Sequence, residues 1–544
     1  MARRTGKAKL VRSPKKPTTK RTSTLAADKK SKAAEKVAKL TKSSKPTRTA
    51  KTAKATTKAT KTAKATKPHE APTPVTKETR HRHSTLQSVR ASRLRSINDY
   101  PQPKTEPLDL FVWGSGSMCE LGLGPAAKTK EVKRPRLNPY LTKEEVGIVD
   151  FAVGGMHVLA LDKNNQVWSW GTNDSKVLGR DTTQAGAEQL KDMNEDNDDD
   201  EDGDLNIEES TPKLVQGLPT DMRVVQLAAT DNLSAVLYET GEVWAWGTFR
   251  CNEGILGFTK DVVIQAVPVK IPDFEHIVQL ASGKDHLLGL DIKGIVYAWG
   301  NGQQNQLGRK ILERTRMTSL EPRSFGLKNI KFIGSGEFHS FAIGTNGKVY
   351  AWGLNQFGQC GIPVAVEDGA VVTKPTEVEE LTGKDIVYIT AGEHHSLALS
   401  ASGEVYSFGR FDMKEIGIAK DKLPLDDCIT DEHGNVRSLP VPTKLTTLPK
   451  AKAVACGSHH SLAVTETGYV FAWGFADTYA VGLGNLDDDV PVPTRIDNTA
   501  TRDHDIKIIG AGGQFSVSAG SKLTDQQNEE RLDQIEEFEE SLGN

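Results

Sequence analysis

Long apolar runs are missing from this chain of 544 residues. No stretch approaches the roughly 18 apolar residues of a membrane-crossing helix, and no secretory leader opens the sequence, so no membrane contact is expected. Cysteine is scarce as well. Cys119, Cys251, Cys360, Cys428 and Cys456 are odd in number, scattered and never in Cys-x-x-Cys spacing. That argues against a disulfide framework and for thiols kept reduced in the cytosol or nucleus. Enzyme signatures are absent too: there is no Walker phosphate loop, no His-Glu-x-x-His, no Gly-x-Ser-x-Gly and no credible acid pair. No metal, cofactor or covalent chemistry is expected. The chain reads as a binding protein.

Acids and aromatics are nearly missing from the first hundred residues, where 29 Lys and Arg face 5 Asp and Glu. The remaining residues carry 41 basic against 66 acidic, so the overall net charge of −1 conceals a basic tail on an acidic body. A segment of Lys, Ala, Thr, Ser and Pro cannot bury enough apolar surface to offset its ordering entropy, so residues 1–105 are expected to be disordered. Their charge suits nucleic-acid phosphates, through counterion release. The basic cluster Lys9 to Arg21 reads as a nuclear-localisation signal for an import receptor.

What the body has in abundance is repetition. The stretch GSGEFHSFAIGTNGKVYAWG, from Gly334 to Gly353, is two β-prone runs around Asn346-Gly347, the strongest short-range hairpin signal. Its end recurs as Trp113-Gly114, Trp170-Gly171, Trp246-Gly247, Trp299-Gly300, Trp352-Gly353, Phe408-Gly409 and Trp473-Gly474, spaced 57, 76, 53, 53, 56 and 65 residues apart. Its first half also recurs seven times, but out of step. The first Trp-Gly has no half-repeat before it, and the last half-repeat, 510–519, has no Trp-Gly after it. The two orphans complete one unit only if the C-terminus pairs with the N-terminal strand. The expected fold is therefore all-β: a seven-bladed β-propeller over 106–520, closed by its own ends, which removes exposed sheet edges. A linear solenoid is the alternative.

Two segments interrupt or extend the ring. The acidic insert 188–209 accounts for the long second spacing. Within it Asp198, Asp200, Asp202, Gly203 and Glu209 fit a calcium-loop pattern, but Pro212 follows at once, so a disordered acidic loop is expected. Residues 521–544 form an acidic helix or tail, with Thr524 and Gln527 as a capping box and Leu532, Ile535, Phe538 and Leu542 near helical spacing.

Aligned, the half-repeats place His157, His286, His339, His395 and His460 in one column. A residue recurring in every blade serves the fold, its ring tying one blade's strand to a neighbouring backbone. The position just before the column varies: Met156, Asn232, Asp285, Phe338, His394, His459 and Gln514. These should lie on one rim near the axis, where a partner binds. Asp285, His394 and Asp231 are the candidate contacts there. Arg309, Lys310, Arg314, Arg316 and Arg323 form a basic loop, suited to DNA phosphate or an acidic protein surface.

The Gly-Gly-x-His…Gly-x-Val-x-x-Trp-Gly repeats, with GSGSMCELGLG after Trp113 and NGQQNQLGR after Gly300, resemble the regulator of chromosome condensation family over about residues 107–520. The resemblance implies a nuclear, chromatin-bound guanine-nucleotide exchange factor for the small GTPase Ran, serving nucleocytoplasmic transport and mitosis. TFRCNEGILG resembles the family's β-wedge, which assigns Thr248, Phe249, Arg250, Cys251, Asn252, Glu253 and Gly254 to the GTPase. Asp231, Asp285, His394 and His395 match positions that hold Ran. The loop bearing Arg309, Lys310, Arg314 and Arg316 resembles the loop that engages the histone acidic patch, and the tail matches a DNA-binding tail. Exchange of this kind is not enzyme chemistry: it works by preferring the nucleotide-free GTPase. A chromatin-binding propeller without exchange activity is the alternative. A light sensor built on interfacial tryptophans is disfavoured, because each Trp sits at its own blade's Trp-Gly or Val-Trp step.

Overall fold

A computed structural model describes residues 96–183, 205–363 and 370–542. The repeats fold into seven antiparallel sheets, arranged as the blades of a closed propeller. Blade 1 joins the two ends of the chain. Its third strand, Asp109–Ser115, pairs with Phe515–Lys522 in a register running from Asp109 opposite Gly520 to Gly114 opposite Phe515. The orphan halves thus complete each other, and the solenoid is excluded. The second strands of blades 2 to 7 begin at His157, Leu233, His286, His339, His395 and His460, and all six of their residues are buried. Neighbouring blades cover both faces, which is why these strands read as continuous apolar runs rather than alternating ones. Outer strands carry Pro135, Pro268, Pro375, Pro440, Pro442, Pro491 and Pro493, which deny ladder donors to a foreign strand.

The Trp-Gly step has a geometric cause. Gly114, Gly171, Gly247, Gly300, Gly353, Gly409 and Gly474 all have φ between +105° and +118°. A Cβ on Gly353 would lie 2.5 Å from the Phe338 carbonyl oxygen and 2.7 Å from His339 Cα, so only glycine fits.

The histidine column is an inter-blade clasp. Nε2 of His157, His286, His339, His395 and His460 meets the hydroxyl of Ser234, Ser340, Ser396, Ser461 and Ser516 on the next blade, at 2.8 to 2.9 Å. The expected partner was a neighbouring backbone. It is instead a serine hydroxyl, which itself donates to a backbone carbonyl: Ser234 to Val177, Ser340 to Gln306, Ser396 to Gln359. Trp246 and Trp352 donate their indole N–H to the same Val177 and Gln306 carbonyls. The column has two gaps, Leu233 and Phe515, matched by Leu287 and Val158 where the next blade would carry serine, and all four are fully buried. Burial holds the imidazoles of His157, His286, His339 and His460 neutral, pushed down to about 3.

Within each sheet the first turn and the third-to-outer connection share one end, here the upper face. The hairpin turns occupy the lower face. Around the axis runs a channel of about 640 Å³ lined by all seven inner strands.

Residues 96–105 were expected to belong to the disordered tail, and here the structure corrects the boundary. Ile97 N donates to the Ile292 carbonyl at 2.8 Å, and Asn98 Nδ2 to the carbonyls of Asp291 and Ile330. Tyr100 Oη meets His276 Nδ1 at 2.8 Å, and Lys104 pairs with the buried Asp150 at 2.7 Å. Ile97, Asn98 and Tyr100 supply the apolar and capping groups that the Lys-Thr-Ala composition before them lacks. Residues 1–95 and the calcium-loop positions Asp198, Asp200, Asp202 and Gly203 lie outside the described residues. Glu209 is described: its carboxylate accepts a bond from Thr182 Oγ1 at 3.0 Å.

The C-terminal segment forms a helix, Asp525–Leu542, started by the expected capping box, Thr524 N to Gln527 Oε1 at 3.1 Å and Gln527 N to Thr524 Oγ1 at 3.3 Å. Ile535 is buried, and the Arg531 guanidinium lies 4.1 Å over the Tyr469 ring, anchoring the helix on blade 7.

Candidate functional site

Among the described residues, one element breaks the sevenfold pattern of the upper face. In the other blades a tight turn follows the Trp-Gly or Phe-Gly step. In blade 3 the chain instead forms a two-stranded hairpin, Phe249–Cys251 paired with Gly254–Gly257. This is the TFRCNEGILG stretch. The missing turn leaves a trace: the Trp299 indole N–H, which would donate to that turn's carbonyl, has no partner among the described residues. Aromatic rings surround it instead, Phe249 at 4.8 Å and Phe258 at 5.3 Å. Thr248 and Phe249 are fully buried at the hairpin's root. Arg250, Cys251, Asn252, Glu253 and Gly254 project. Gly254 has φ +117° with nothing near its would-be Cβ, and Ile255 stands 48% exposed.

Asp285 lies at the root of this hairpin. Its Oδ1 accepts the Arg250 backbone N–H at 2.9 Å and Asn232 Nδ2 at 3.3 Å, and Asn232 Oδ1 in turn accepts Ser175 Oγ. Burial raises the Asp285 pKa, and the two donors partly oppose that. With 9% of its surface exposed, Asp285 turns its carboxylate toward the protein's own backbone.

Asp231 lies at the channel mouth. Backbone bonds link the blades around that mouth: Asp231 N to Lys284 O, Lys284 N to Glu337 O, Glu337 N to Gly392 O, Glu393 N to Ser458 O, Ser458 N to Gly512 O and Gly513 N to Gly155 O. Asp231 supplies the remaining link, between blades 2 and 3, by taking the Gly155 amide on its carboxylate. Burial first, then the charges of Glu337 and Asp285, push Asp231 up to about 8, although a fifth of its side chain still faces the channel. Lys284 lies between Asp231 at 3.9 Å and Glu337 at 2.8 Å. Burial opposes its charge, but Glu337, Asp231 and Glu393 outweigh that and raise its pKa. Ser458 Oγ donates to Glu337 across the mouth.

On blades 6 and 7, Arg410 is the hub. It donates to Glu415 at 2.6 Å and to His459 Nδ1 at 2.8 Å. His459 therefore carries its proton on Nε2, 3.5 Å from Glu393. His394 sits between Gln356 and Gln359, 4.9 Å from the Phe357 ring, and is pushed down to about 4 by burial and then by Arg410. Across the mouth, Met118 (48%) and Met156 (39%) are exposed. The upper face thus has an apolar side, a charged side and a hairpin.

Asp231, Asp285 and His394 all lie on this face. His395 does not: it is fully buried, clasped to Ser461 at 2.8 Å, and has no surface to offer a partner. Its place in the fold column overrides its place in the candidate set. Arg309 is a second correction. Its guanidinium donates to the carbonyls of Ala298 and Arg323, so it braces its own loop. Lys310 and Arg314 are exposed, with no ion pair among the described residues, while Arg316 pairs with Glu313 at 3.0 Å and with Glu253 of the hairpin at 3.3 Å. Lys284, Glu337, Glu393, Arg410 and Gln303 escaped the sequence reading. Arg410 had a signal: it directly follows Phe408-Gly409, where other blades carry Ser115, Thr172, Thr248, Asn301, Leu354 and Phe475. Among the described residues no cluster of His, Cys, Asp and Glu could hold a metal ion, and no helix is long and apolar enough to cross a membrane.

Residues 109–518 match the RCC1-like domain. The guanine nucleotide exchange factor SRM1 of Saccharomyces cerevisiae is 57% identical over 469 residues, covering 84% of this chain and 97% of that protein. The crystal structure of Prp20p from Saccharomyces cerevisiae, described with its binding properties to Gsp1p and histones, superposes with a TM-score of 0.74 at 55% identity, over 81% of this chain and 97% of that one. A structure of Kap60 bound to yeast RCC1 (Prp20) gives a TM-score of 0.75 at 56% identity, over 80% of this chain and 93% of that one.

Proposed function

The chain belongs to the RCC1-like family, and from that premise we propose that it is a guanine-nucleotide exchange factor for a Ran-type GTPase, held on chromatin in the nucleus. The observation that carries this reading is the hairpin of blade 3. It stands where the other blades have a tight turn, and it projects Cys251, Asn252, Glu253, Gly254 and Ile255 from the upper face.

Exchange needs no bond made or broken by this protein. A surface that binds the nucleotide-free GTPase more tightly than the loaded one weakens nucleotide affinity by the same factor, because binding is reciprocal. The hairpin enters the phosphate and Mg²⁺ region of the GTPase as a wedge. Thr248 and Phe249 root it, Asp285 fixes its first strand, and Asp231, Lys284, Glu337, His394 and His459 form the charged side of the docking face. Incoming GTP completes the cycle by refilling the site.

Lys310, Arg314 and Arg316 form the chromatin-facing cluster, with residues 1–95 adding salt-dependent contacts to DNA. The basic residues from Lys9 to Arg21 recruit an import receptor of the Kap60 type. The domain plan is a basic tail, the propeller with its acidic insert, and the C-terminal helix.

The test is release of fluorescent GDP from Ran and from one unrelated GTPase. Acceleration for Ran alone is expected, and an unchanged Ran rate refutes the proposal. Deleting residues 1–95 should leave that rate intact and lower chromatin retention at moderate salt; full retention refutes the role of the tail.

A further inference from the structure

We propose that Gln303 is a positioning residue for exchange: it is the clamp by which blade 4 holds the wedge of blade 3. In its consequence for exchange the inference rests on the function proposed above. The clamp itself does not.

An isolated two-stranded hairpin is marginal in water. Blade 3 offers this one little support past its root, since no described residue lies within 4 Å of the would-be Cβ of Gly254 and Ile255 is half-exposed. The neighbouring blade holds it instead. Asp285 takes the Arg250 amide at the start, and farther out Gln303 uses both ends of its side chain. Gln303 Oε1 accepts the Asn252 backbone N–H at 2.9 Å, and Gln303 Nε2 donates to both Glu253 oxygens at 3.1 and 2.9 Å. Arg316 adds a contact to the same Glu253. Gln303 is itself fixed: its backbone N–H donates to Asn301 Oδ1 at 2.9 Å, and the Asn301 backbone N–H donates to the Asp285 carbonyl at 2.7 Å. Asp285 and Gln303 are thus one support, holding the wedge at root and tip.

The chemistry is specific. Asparagine is one methylene short of the wedge. Glutamate keeps an acceptor for Asn252 but sets a second carboxylate against Glu253. In each blade that keeps the turn, the position two before its left-handed residue is Ser117, Asp174, Gln303, Gln356, Asp412 or Asp477, and among the described residues Gln303 alone has a hairpin beside it. Ordering a free wedge of three or four residues at the moment of docking would oppose binding in the transition state. The clamp removes that opposition beforehand.

The experiment uses the full chain and three variants: Gln303→Ala, Gln303→Glu, and Gln303→Glu combined with Glu253→Gln. In the double variant, the carboxylate introduced at position 303 accepts from both the Asn252 amide and the side-chain amide introduced at position 253, so the clamp is rebuilt with its polarity reversed. Two readouts are taken: hydrogen exchange at the Asn252 amide, and kcat and KM for GDP release from Ran. Gln303→Ala should lower kcat about 10-fold with KM little changed, since the docking face is intact. Gln303→Glu should be slower still, and the double variant, which also alters a wedge residue, is read by amide protection, which it should recover. Protection of the Asn252 amide should follow the same order. Wild-type protection in both single variants, or no recovery of Asn252 protection in the double variant, overturns the clamp. If wild-type protein releases no nucleotide from Ran, the exchange reading falls and amide protection alone still decides the clamp.

Discussion

Replacing Asp285 separates two ways in which a carboxylate could serve exchange. As a direct contact it would offer its charge to the GTPase. The structure gives it a different role, that of an internal anchor. Oδ1 accepts the Arg250 amide at 2.9 Å and Asn232 Nδ2 at 3.3 Å, and little of the residue is exposed. Asp285→Ala removes the acceptor and leaves two donors unpaired. The Arg250 amide is only partly buried, so the penalty falls mid-range, about 2 kcal/mol. If it falls on the wedge in the transition state, exchange slows about 30-fold. Asp285→Asn keeps an oxygen in the same place and loses only charge, which burial already disfavours. It should stay within about 3-fold of wild type. The assay is release of fluorescent GDP from Ran under single-turnover conditions, with the variants matched for folded fraction. An unchanged rate in Asp285→Ala refutes any role for the residue. An Asn variant as slow as the Ala variant refutes the anchor and restores the direct charge contact.

Three further outcomes test the scaffold. His395→Ala should lower unfolding free energy by about 3 kcal/mol in urea, from a lost buried clasp and a cavity, while exchange per folded molecule stays within about 2-fold of wild type; a collapse of exchange in folded protein would return His395 to the site. Leu233→His buries an imidazole against Leu287 and should destabilise by about 2 kcal/mol, and adding Leu287→Ser should recover about 1 kcal/mol as it completes the clasp; strictly additive effects would refute the clasp. Burial holds His460 near 3 while the unfolded chain protonates near the ordinary 6.5, so the stability it supports is full above pH 6.5 and is lost as pH falls. Replacing the pair with the leucines found elsewhere in the column, His460→Leu with Ser516→Leu, should remove about 1.4 kcal/mol per pH unit of acid sensitivity between pH 6.5 and 4.5; identical slopes in wild type and variant would refute it.

The propeller was legible in the chain because its cause is periodic. Each blade needs Asn-Gly or a like turn, a glycine at positive φ after its aromatic, and a buried second strand, so the pattern recurs and the mismatch at its ends dictates closure. The histidine column was legible for the same reason, down to the exceptions at Leu233 and Phe515. Its partner was not: that His460 meets Ser516 depends on blade stacking, which no spacing encodes. On the upper face, the family resemblance marked the wedge, and the varying position before the column marked Asp285. Sequence could not show that Asp285 faces inward, that His395 is sealed off, or that Gln303, 51 residues beyond Asn252, grips the wedge. Repetition along the chain determines which residues build the ring, because every blade faces the same packing problem. Only the packed blades decide which polar groups remain for a partner, because that depends on what each side chain has already met across a blade boundary.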